Sequence, residues 1–197
     1  VADDAARIGY DQILTTSNAR ASSSAIEFLN SGPPEPFFLS VGFFETHREF
    51  PDPGEDSRYC LPPSPIPDTA ETRRDMAGYK TAARRLDTKI GAVLAALDRN
   101  GLAESTLVVC TTDHGPAFPG MKCNLTDHGT GVLLILRGPG GLRGGRVCDA
   151  LVSQIDLFPT LCELLGIDAP GWLQGNSVLP VLRGEAEEVN DAVFAEV

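Results

Sequence analysis

Residues 106–115 have the sequence TLVVCTTDHG. The first seven of these residues form a short run with an apolar middle, which is typical of a buried β-strand. Asp113, His114 and Gly115 follow it directly, so a carboxylate and an imidazole stand at the strand end and a glycine permits a tight turn. Ligands of open parallel sheets bind beyond the carboxyl ends of the strands. This stretch therefore predicts a buried strand with a candidate site at its end.

Apolar runs and helical patterns alternate on both sides of this stretch. Strands are predicted at residues 37–44, 106–112 and 131–136, with further short strands at 151–153 and 192–195. Helices are predicted at residues 25–29, 68–100 and 155–165, and the long one has Asp68 as its N-cap with Glu71 three residues later. This order predicts an α/β fold with a mainly parallel sheet flanked by helices, in one domain covering residues 1–197.

Composition and charge exclude several classes of protein. Hydrophobic residues make up 42% of the 197 residues and charged residues 22%, which is enough to bury a core. The net charge of −11 argues against a nucleic-acid partner, and no apolar run approaches the ~18 residues of a membrane span. The five cysteines are scattered without a C-x-x-C pair, which argues against a disulfide framework and a structural zinc site.

Two further side chains are predicted to lie near Asp113 and His114. His47 follows the strand predicted at 37–44, and Lys122 lies in the loop after residue 115. Alone, such a histidine is usually a structural hydrogen-bonding group and such a lysine a solvated cation. Together, a metal-binding pair, a cation and an imidazole at one sheet edge predict a site for an oxyanion.

Several motifs in this order resemble one known family. They are Thr46-His47-Arg48, the long helix 79–101, Asp113-His114-Gly115, the segment 118–125 (FPGMKCNL), Arg137-Gly138-Pro139-Gly140 and the run 152–161 (VSQIDLFPTL). The chain resembles the sulfatases of the alkaline phosphatase superfamily over residues 26–181. Residues 46–48 and 118–125 look most like the branch of the N-sulfoglucosamine sulfohydrolases (heparan N-sulfatases). The resemblance implies an alkaline-phosphatase-like fold and hydrolysis of a sulfuric ester or sulfamate.

The resemblance also implies roles for individual residues. Asp113 and His114 match two ligands of a divalent cation, usually calcium, and calcium prefers oxygen ligands. His47 matches the histidine that contacts the sulfate or assists the leaving group, and Lys122 matches the basic residue that neutralises a sulfate oxygen. His128 is a candidate substrate contact in a loop near the substrate. The expected partner is a sulfated sugar or another sulfate ester or sulfamate.

The chain departs from the family at the nucleophile, which is a formylglycine made from the Cys or Ser of a C-x-P-x-R motif. Residues 60–64 (CLPPS) lack the arginine and follow His47, whereas the family motif precedes it. Asp3-Asp4 does not follow a buried strand and so does not match the early metal-binding pair. The chain is therefore expected to be the C-terminal portion of a longer catalytic domain, inactive by itself and self-associating through an exposed sheet edge.

Two alternatives stay open at this point. A phosphatase, phosphodiesterase or phosphonate hydrolase of the same superfamily would share the metal-binding strand ends, but such enzymes often have a Thr or Ser nucleophile and a second metal. The single Asp113-His114 step together with Lys122 favours the one-metal sulfatase. A non-catalytic binding protein that retains the fold is the other alternative, and it would lack the nucleophile motif altogether.

Overall fold

The computed structural model describes residues 9–139, 142 and 145–196, so Asp3 and Asp4 lie outside the described residues. The chain forms two compact units. The first unit comprises Val1–Ala103 and Pro116–Lys122, and the second comprises Glu104–Gly115 and Cys123–Val197. Among the described residues, no helix combines the length and apolar character that crossing a bilayer requires.

The first unit is built on two helices, α1 (Ala21–Asn30) and α2 (Ala70–Arg99), which pack against each other. Short 3-10 turns lie at Asn18–Arg20 and Ser57–Tyr59. Side chains of α2 and of the loops beside it form an apolar cluster. It consists of Cys60, Met76, Ala77, Phe118 and Met121, with Phe50, Ile66 and Tyr79 packed against it. The segment 116–122 is therefore held in this unit by two side chains of its core.

The long helix confirms the predicted segment, but its predicted cap is wrong by one residue. The N-cap is Thr69, whose hydroxyl accepts a hydrogen bond from the backbone N–H of Thr72 at 3.2 Å. The Thr72 hydroxyl in turn accepts from the backbone N–H of Thr69 at 3.0 Å. Asp68 instead forms an ion pair with Arg73. The reciprocal threonine pair satisfies two backbone donors at once, which explains why the helix begins one residue later than predicted.

The proline-rich segment 45–68, which precedes α2, lies along that helix and is held by ion pairs. The pairs join Glu45 to Lys89, Asp52 to Arg74, Glu55 to Arg84 and Asp68 to Arg73. A glycine permits the close approach, because a Cβ on Gly78 would lie 2.8 Å from the carbonyl oxygen of Pro51. The loop is therefore fixed on α2 by charge as well as by packing.

The Glu45–Lys89 pair predicts a pH dependence of stability. Burial acts to raise the pKa of Glu45, but the hydrogen bond and charge of Lys89, together with hydrogen bonds from the backbone N–H groups of Glu45 and Phe44, outweigh it, so the pKa lies below its usual range. A lowered folded-state pKa stabilises the protein above the unfolded pKa of about 4.3, and this contribution is lost as the pH falls through the folded value. We expect Lys89→Ala to cost about 1 kcal/mol at pH 7 and clearly less at pH 3.5.

Urea unfolding of the wild type and Lys89→Ala at both pH values measures this difference. Arg85→Ala, which removes an exposed cation one helical turn before Lys89, is the control and should show no such change with pH. A Lys89→Ala effect of equal size at both pH values would contradict the assignment.

In the described part of the second unit, the chain forms one small sheet and three helices. Strands β1 (Val108–Thr111) and β2 (Leu134–Arg137) pair antiparallel, with Val108 opposite Arg137 and Thr111 opposite Leu134. The helices are α3 (Asp127–Thr130), α4 (Leu157–Leu165) and α5 (Leu179–Arg183), and a 3-10 turn at Gln154–Asp156 leads into α4. Gly166 ends α4 in the left-handed conformation, at φ 67°, as the position of this glycine predicts.

The structure corrects the predicted sheet. The described residues form a two-stranded antiparallel sheet, so the prediction of a mainly parallel sheet is not confirmed. The predicted strands at 37–44, 151–153 and 192–195 are wrong, since none of these segments forms a strand in the structure. A β-strand needs a hydrogen-bonded neighbour, and the described residues place none beside these segments. Their apolar character alone does not supply that neighbour.

Candidate active site

Two neighbouring groups hold the His47 side chain within the first unit. Its Nδ1 lies 2.6 Å from the carbonyl oxygen of Arg48, and because a carbonyl only accepts, Nδ1 carries the proton. In the neutral ring, Nε2 therefore has a free lone pair. The Phe44 ring stacks on the imidazole, with ring centroids 4.2 Å apart and planes at 13°. The tautomer and the orientation of His47 are thus both fixed by neighbouring groups.

Lys122 meets this histidine although 75 positions separate them in the sequence. Lys122 Nζ lies 3.5 Å from His47 Nε2, and the ammonium is the donor. The lysine follows Met121, which is fully buried, and its backbone N–H donates to the carbonyl of Pro116 at 3.2 Å. The structure therefore brings the two candidate substrate-binding residues of the first unit together on a packed support.

This pair has the chemistry of an oxyanion-binding site. A lysine ammonium is a compact positive charge with three donors, so it can contact His47 and an anionic oxygen at the same time. The imidazole can hold a proton on Nε2 when it is charged, and it can then deliver that proton to a leaving group. The arrangement can thus bind an anion and serve as a general acid.

Asp113 and His114 lie in the second unit, directly after β1. His114 Nδ1 lies 2.7 Å from the carbonyl oxygen of Gly115, so this nitrogen also carries a proton and Nε2 has the lone pair in the neutral ring. Asp113 Oδ2 lies 3.3 Å from that Nε2. Two electron-pair donors this close together fit neighbouring positions around one cation. The Asp113 side chain is 87% exposed, so it is open to a further ligand.

Backbone contacts hold the turn that carries this pair. Thr112 and Leu133 share two hydrogen bonds. The Thr112 N–H donates to the carbonyl of Leu133 at 3.3 Å, and the Leu133 N–H donates to the Thr112 hydroxyl at 3.1 Å. The amide of Gln154 donates to the carbonyl of Thr112 at 2.5 Å. On the other side, the Gly115 N–H donates to the carbonyl of Gly129 at 2.9 Å. The turn is therefore fixed immediately before Asp113 and immediately after His114.

His128 lies in α3, next to this turn, and is exposed. It is the backbone carbonyl of His128 that lies against Gly115, since a Cβ added to Gly115 would come within 1.7 Å of that oxygen. The described residues contain no group of three or more His, Cys, Asp or Glu side chains that could hold a metal ion. Asp113 and His114 are thus a pair of candidate ligands rather than a complete site.

Cys60 is fully buried in the core of the first unit, beside Met76 and Met121. A buried thiol among apolar side chains is typical of a packing role. This placement agrees with the sequence argument against Cys60 as a nucleophile.

Sequence reasoning missed the structural roles of two residues, Arg48 and Asp156. Arg48 contacts α2 and the segment that carries Lys122, and its position next to His47 was the one available signal. Asp156 lies within the run 152–161, which was used only for its resemblance. It is 2% exposed and accepts hydrogen bonds from the backbone of Ser153 and Asn176 and from the amide of Asn190. That run therefore has a structural role in the second unit.

Comparison with known proteins gives a consistent result. The family model described as Sulfatase matches residues 5–167. Steryl-sulfatase of Mus musculus is 32% identical over 188 residues, covering 85% of this chain and 28% of that protein. N-sulphoglucosamine sulphohydrolase of Homo sapiens is 30% identical over 195 residues, covering 81% of this chain and 39% of that protein. The chain thus spans well under half the length of these curated relatives.

Solved structures agree on the fold, which is alkaline-phosphatase-like in the sulfatases that the chain resembles. A 2-O glycosaminoglycan sulfatase matches with a TM-score of 0.66 and 23% identity, covering 90% of this chain and 49% of that one. A phosphonate monoester hydrolase from Silicibacter pomeroyi matches with a TM-score of 0.55 and 32% identity, covering 83% of this chain and 34% of that one. The family match covers most of the chain, and the chain therefore belongs to the sulfatase family.

Proposed function

We propose that this chain forms part of a hydrolase of sulfate esters or sulfamates. The observation that carries the proposal is the His47–Lys122 pair, with Nε2 and Nζ 3.5 Å apart in a family whose relatives are sulfatases. Lys122 neutralises a sulfate oxygen, and His47 contacts the sulfate group or protonates the leaving group. His128 is a candidate contact to the remainder of the substrate, because it is exposed beside the turn at Gly115.

A divalent cation fits the Asp113–His114 pair. The fit rests on the 3.3 Å separation of Oδ2 and Nε2 and on the proton at Nδ1, which leaves Nε2 free to act as a ligand. A carboxylate suits calcium, and an imidazole suits softer divalent metals better. Such an ion would polarise a sulfate oxygen. Asp113 and His114 supply two of its ligands, and the remaining ligands lie outside this pair.

The formylglycine nucleophile that the family resemblance implies has no matching motif within the 197 residues. We propose that a further part of the polypeptide supplies it, together with the early aspartate pair. This agrees with the share of the curated relatives that the chain covers, 28% and 39%. Turnover of an aryl sulfate by this chain alone would contradict that part of the proposal.

The substrate class is a sulfated sugar or another sulfate ester or sulfamate. The relatives' names include a steryl-sulfatase and an N-sulphoglucosamine sulphohydrolase, so a sterol sulfate and an N-sulfated sugar are both represented. A second candidate is hydrolysis of a phosphonate monoester, which the 32% identity to a phosphonate monoester hydrolase favours. Both candidates require a tetrahedral oxyanion at the His47–Lys122 pair.

An anion titration of the chain tests the proposal. We expect sulfate to shift the NMR signals of His47 and Lys122, and Lys122→Ala to weaken its binding by about 10- to 100-fold, since a charge-assisted hydrogen bond is lost. Lys80→Ala, which removes a lysine elsewhere in the first unit, should bind sulfate like the wild type. Equal sulfate binding by Lys122→Ala would contradict the proposal, and clearly tighter binding of methylphosphonate than of sulfate would favour the second candidate.

A further inference from the structure

Arg48 joins three segments of the first unit through a single side chain. Its Nη1 donates to Asp75 Oδ1 of α2 at 3.0 Å, and its Nη2 forms a second hydrogen bond with Asp75 Oδ2. Its Nε donates to the carbonyl of Ala117 at 2.7 Å. The guanidinium also lies over the rings of Phe50 and Phe118, at 4.6 and 5.2 Å from their centroids.

These contacts bear directly on the two candidate substrate-binding residues. Arg48 follows His47, and the backbone carbonyl of Arg48 accepts a hydrogen bond from His47 Nδ1. With the proton on Nδ1, the Nε2 lone pair faces Lys122. Ala117 lies in the segment 116–122, whose last residue is Lys122. Arg48 is therefore part of the segment that carries His47 and is hydrogen-bonded to the segment that carries Lys122. Its ion pair with Asp75 attaches both segments to α2.

The positive charge of Arg48 is paired with the carboxylate of Asp75. Both oxygens of Asp75 accept from the guanidinium, and the two side chains are 40% and 33% exposed, so the pair is partly withdrawn from solvent. A guanidinium that is paired in this two-pronged way and covered by aromatic rings is a poor direct ligand for an anion. Its contribution to the site acts through the residues that it holds.

We propose that Arg48 and Asp75 are positioning residues that set the tautomer of His47 and its distance to Lys122. The inference rests on the proposed function, because it assumes that His47 and Lys122 bind the anion. The planar fork of the guanidinium is essential, since it makes three directed hydrogen bonds to two partners at once. A lysine at position 48 would keep the charge but could not make that set of bonds.

Two conservative variants, Arg48→Lys and Asp75→Asn, test the inference in the intact chain. We expect both to weaken sulfate binding by about tenfold, because an ångström-scale displacement of the pair is costly. We also expect both to move neutral His47 from the Nδ1–H form towards the Nε2–H form, which two-bond 1H–15N NMR correlations of the imidazole distinguish. The tautomer is a readout that a general loss of stability does not change.

Arg74→Lys is the matched control: Arg74 lies in α2 next to Asp75, it pairs with Asp52 of the preceding segment at 2.9 Å, and both of these paired side chains are largely exposed. It should leave the tautomer and sulfate binding unchanged. If Arg48→Lys does not fold, Asp75→Asn still tests whether the Arg48–Asp75 pair sets the tautomer of His47. Wild-type tautomer and affinity in a folded Arg48 or Asp75 variant would overturn the inference, whereas normal sulfate binding by Lys122→Ala would instead overturn the proposed function.

Discussion

Replacing Asp156 by alanine is expected to destabilise the second unit by about 3–5 kcal/mol. The carboxylate accepts from the backbone N–H groups of Ser153 and Asn176, each at 2.8 Å, and from Asn190 Nδ2 at 2.9 Å. The aspartate is 2% exposed, so water cannot replace the lost acceptor. The substitution leaves the two backbone N–H groups without their acceptor, removes one of the two acceptors of Asn190 Nδ2, and opens a cavity between segments that are distant in sequence.

Neighbouring contacts extend this effect through the unit. The Asp156 carbonyl accepts from the Thr160 hydroxyl at 2.6 Å, and that hydroxyl accepts from the backbone N–H of Val178 at 2.9 Å. A Cβ on Gly175 would lie 2.2 Å from the carbonyl oxygen of Ile155, so the segment at 175 touches this turn backbone to backbone. Loss of Asp156 is therefore expected to release the segment 175–178 from α4.

Amide hydrogen exchange at Asn176 and Val178, together with urea unfolding, measures the loss. Asp168→Ala is the control, since it makes the same chemical change at an exposed position and should shift the unfolding free energy by no more than about 0.5 kcal/mol. Asp156→Asn should fall between the two, because one amide oxygen can still accept. An Asp156→Ala protein as stable as the Asp168→Ala control would show that this network does not hold the unit together.

Gly115→Ala is expected to disrupt the turn that carries Asp113 and His114, at a cost of about 3 kcal/mol. The added Cβ would lie 1.7 Å from the carbonyl oxygen of His128 and 2.7 Å from its carbonyl carbon. Both are backbone atoms, so no side-chain rotation relieves the overlap. Either α3 or the turn has to move, and the hydrogen bond from Gly115 N–H to Gly129 is lost with it.

This substitution also tests the candidate metal ligands. We expect any calcium-induced NMR shift at Asp113 and His114 to be lost in Gly115→Ala, because Oδ2 and Nε2 no longer stay 3.3 Å apart. Gly171→Ala is the matched control, since nothing lies within 4 Å of its Cβ position and its φ is not left-handed. A Gly115→Ala chain that unfolds at the same urea concentration as Gly171→Ala would refute the predicted clash.

The sequence predicted the helices well and the sheet poorly, for a physical reason. A helix satisfies its hydrogen bonds within one segment, so the period of apolar residues and the flanking caps suffice to locate α2 and α4. A strand needs a partner from elsewhere in the chain, which the segment 37–44 does not have among the described residues. The segment 37–44 and β1 both have apolar sequences, but only β1 has a paired neighbour and forms a strand.

The same contrast holds for the site. The residue types and their order by themselves determined the family resemblance and singled out His47, Lys122, Asp113 and His114 as candidates. Only the tertiary structure placed Nζ of Lys122 at 3.5 Å from His47 Nε2, and only it showed that Arg48 pairs with Asp75 and that Asp156 is buried in a hydrogen-bond network. The chemical type of each side chain can be read directly from the sequence. Distances between residues far apart in the chain instead arise from packing, hydrogen bonds and charge pairs that form when the chain folds.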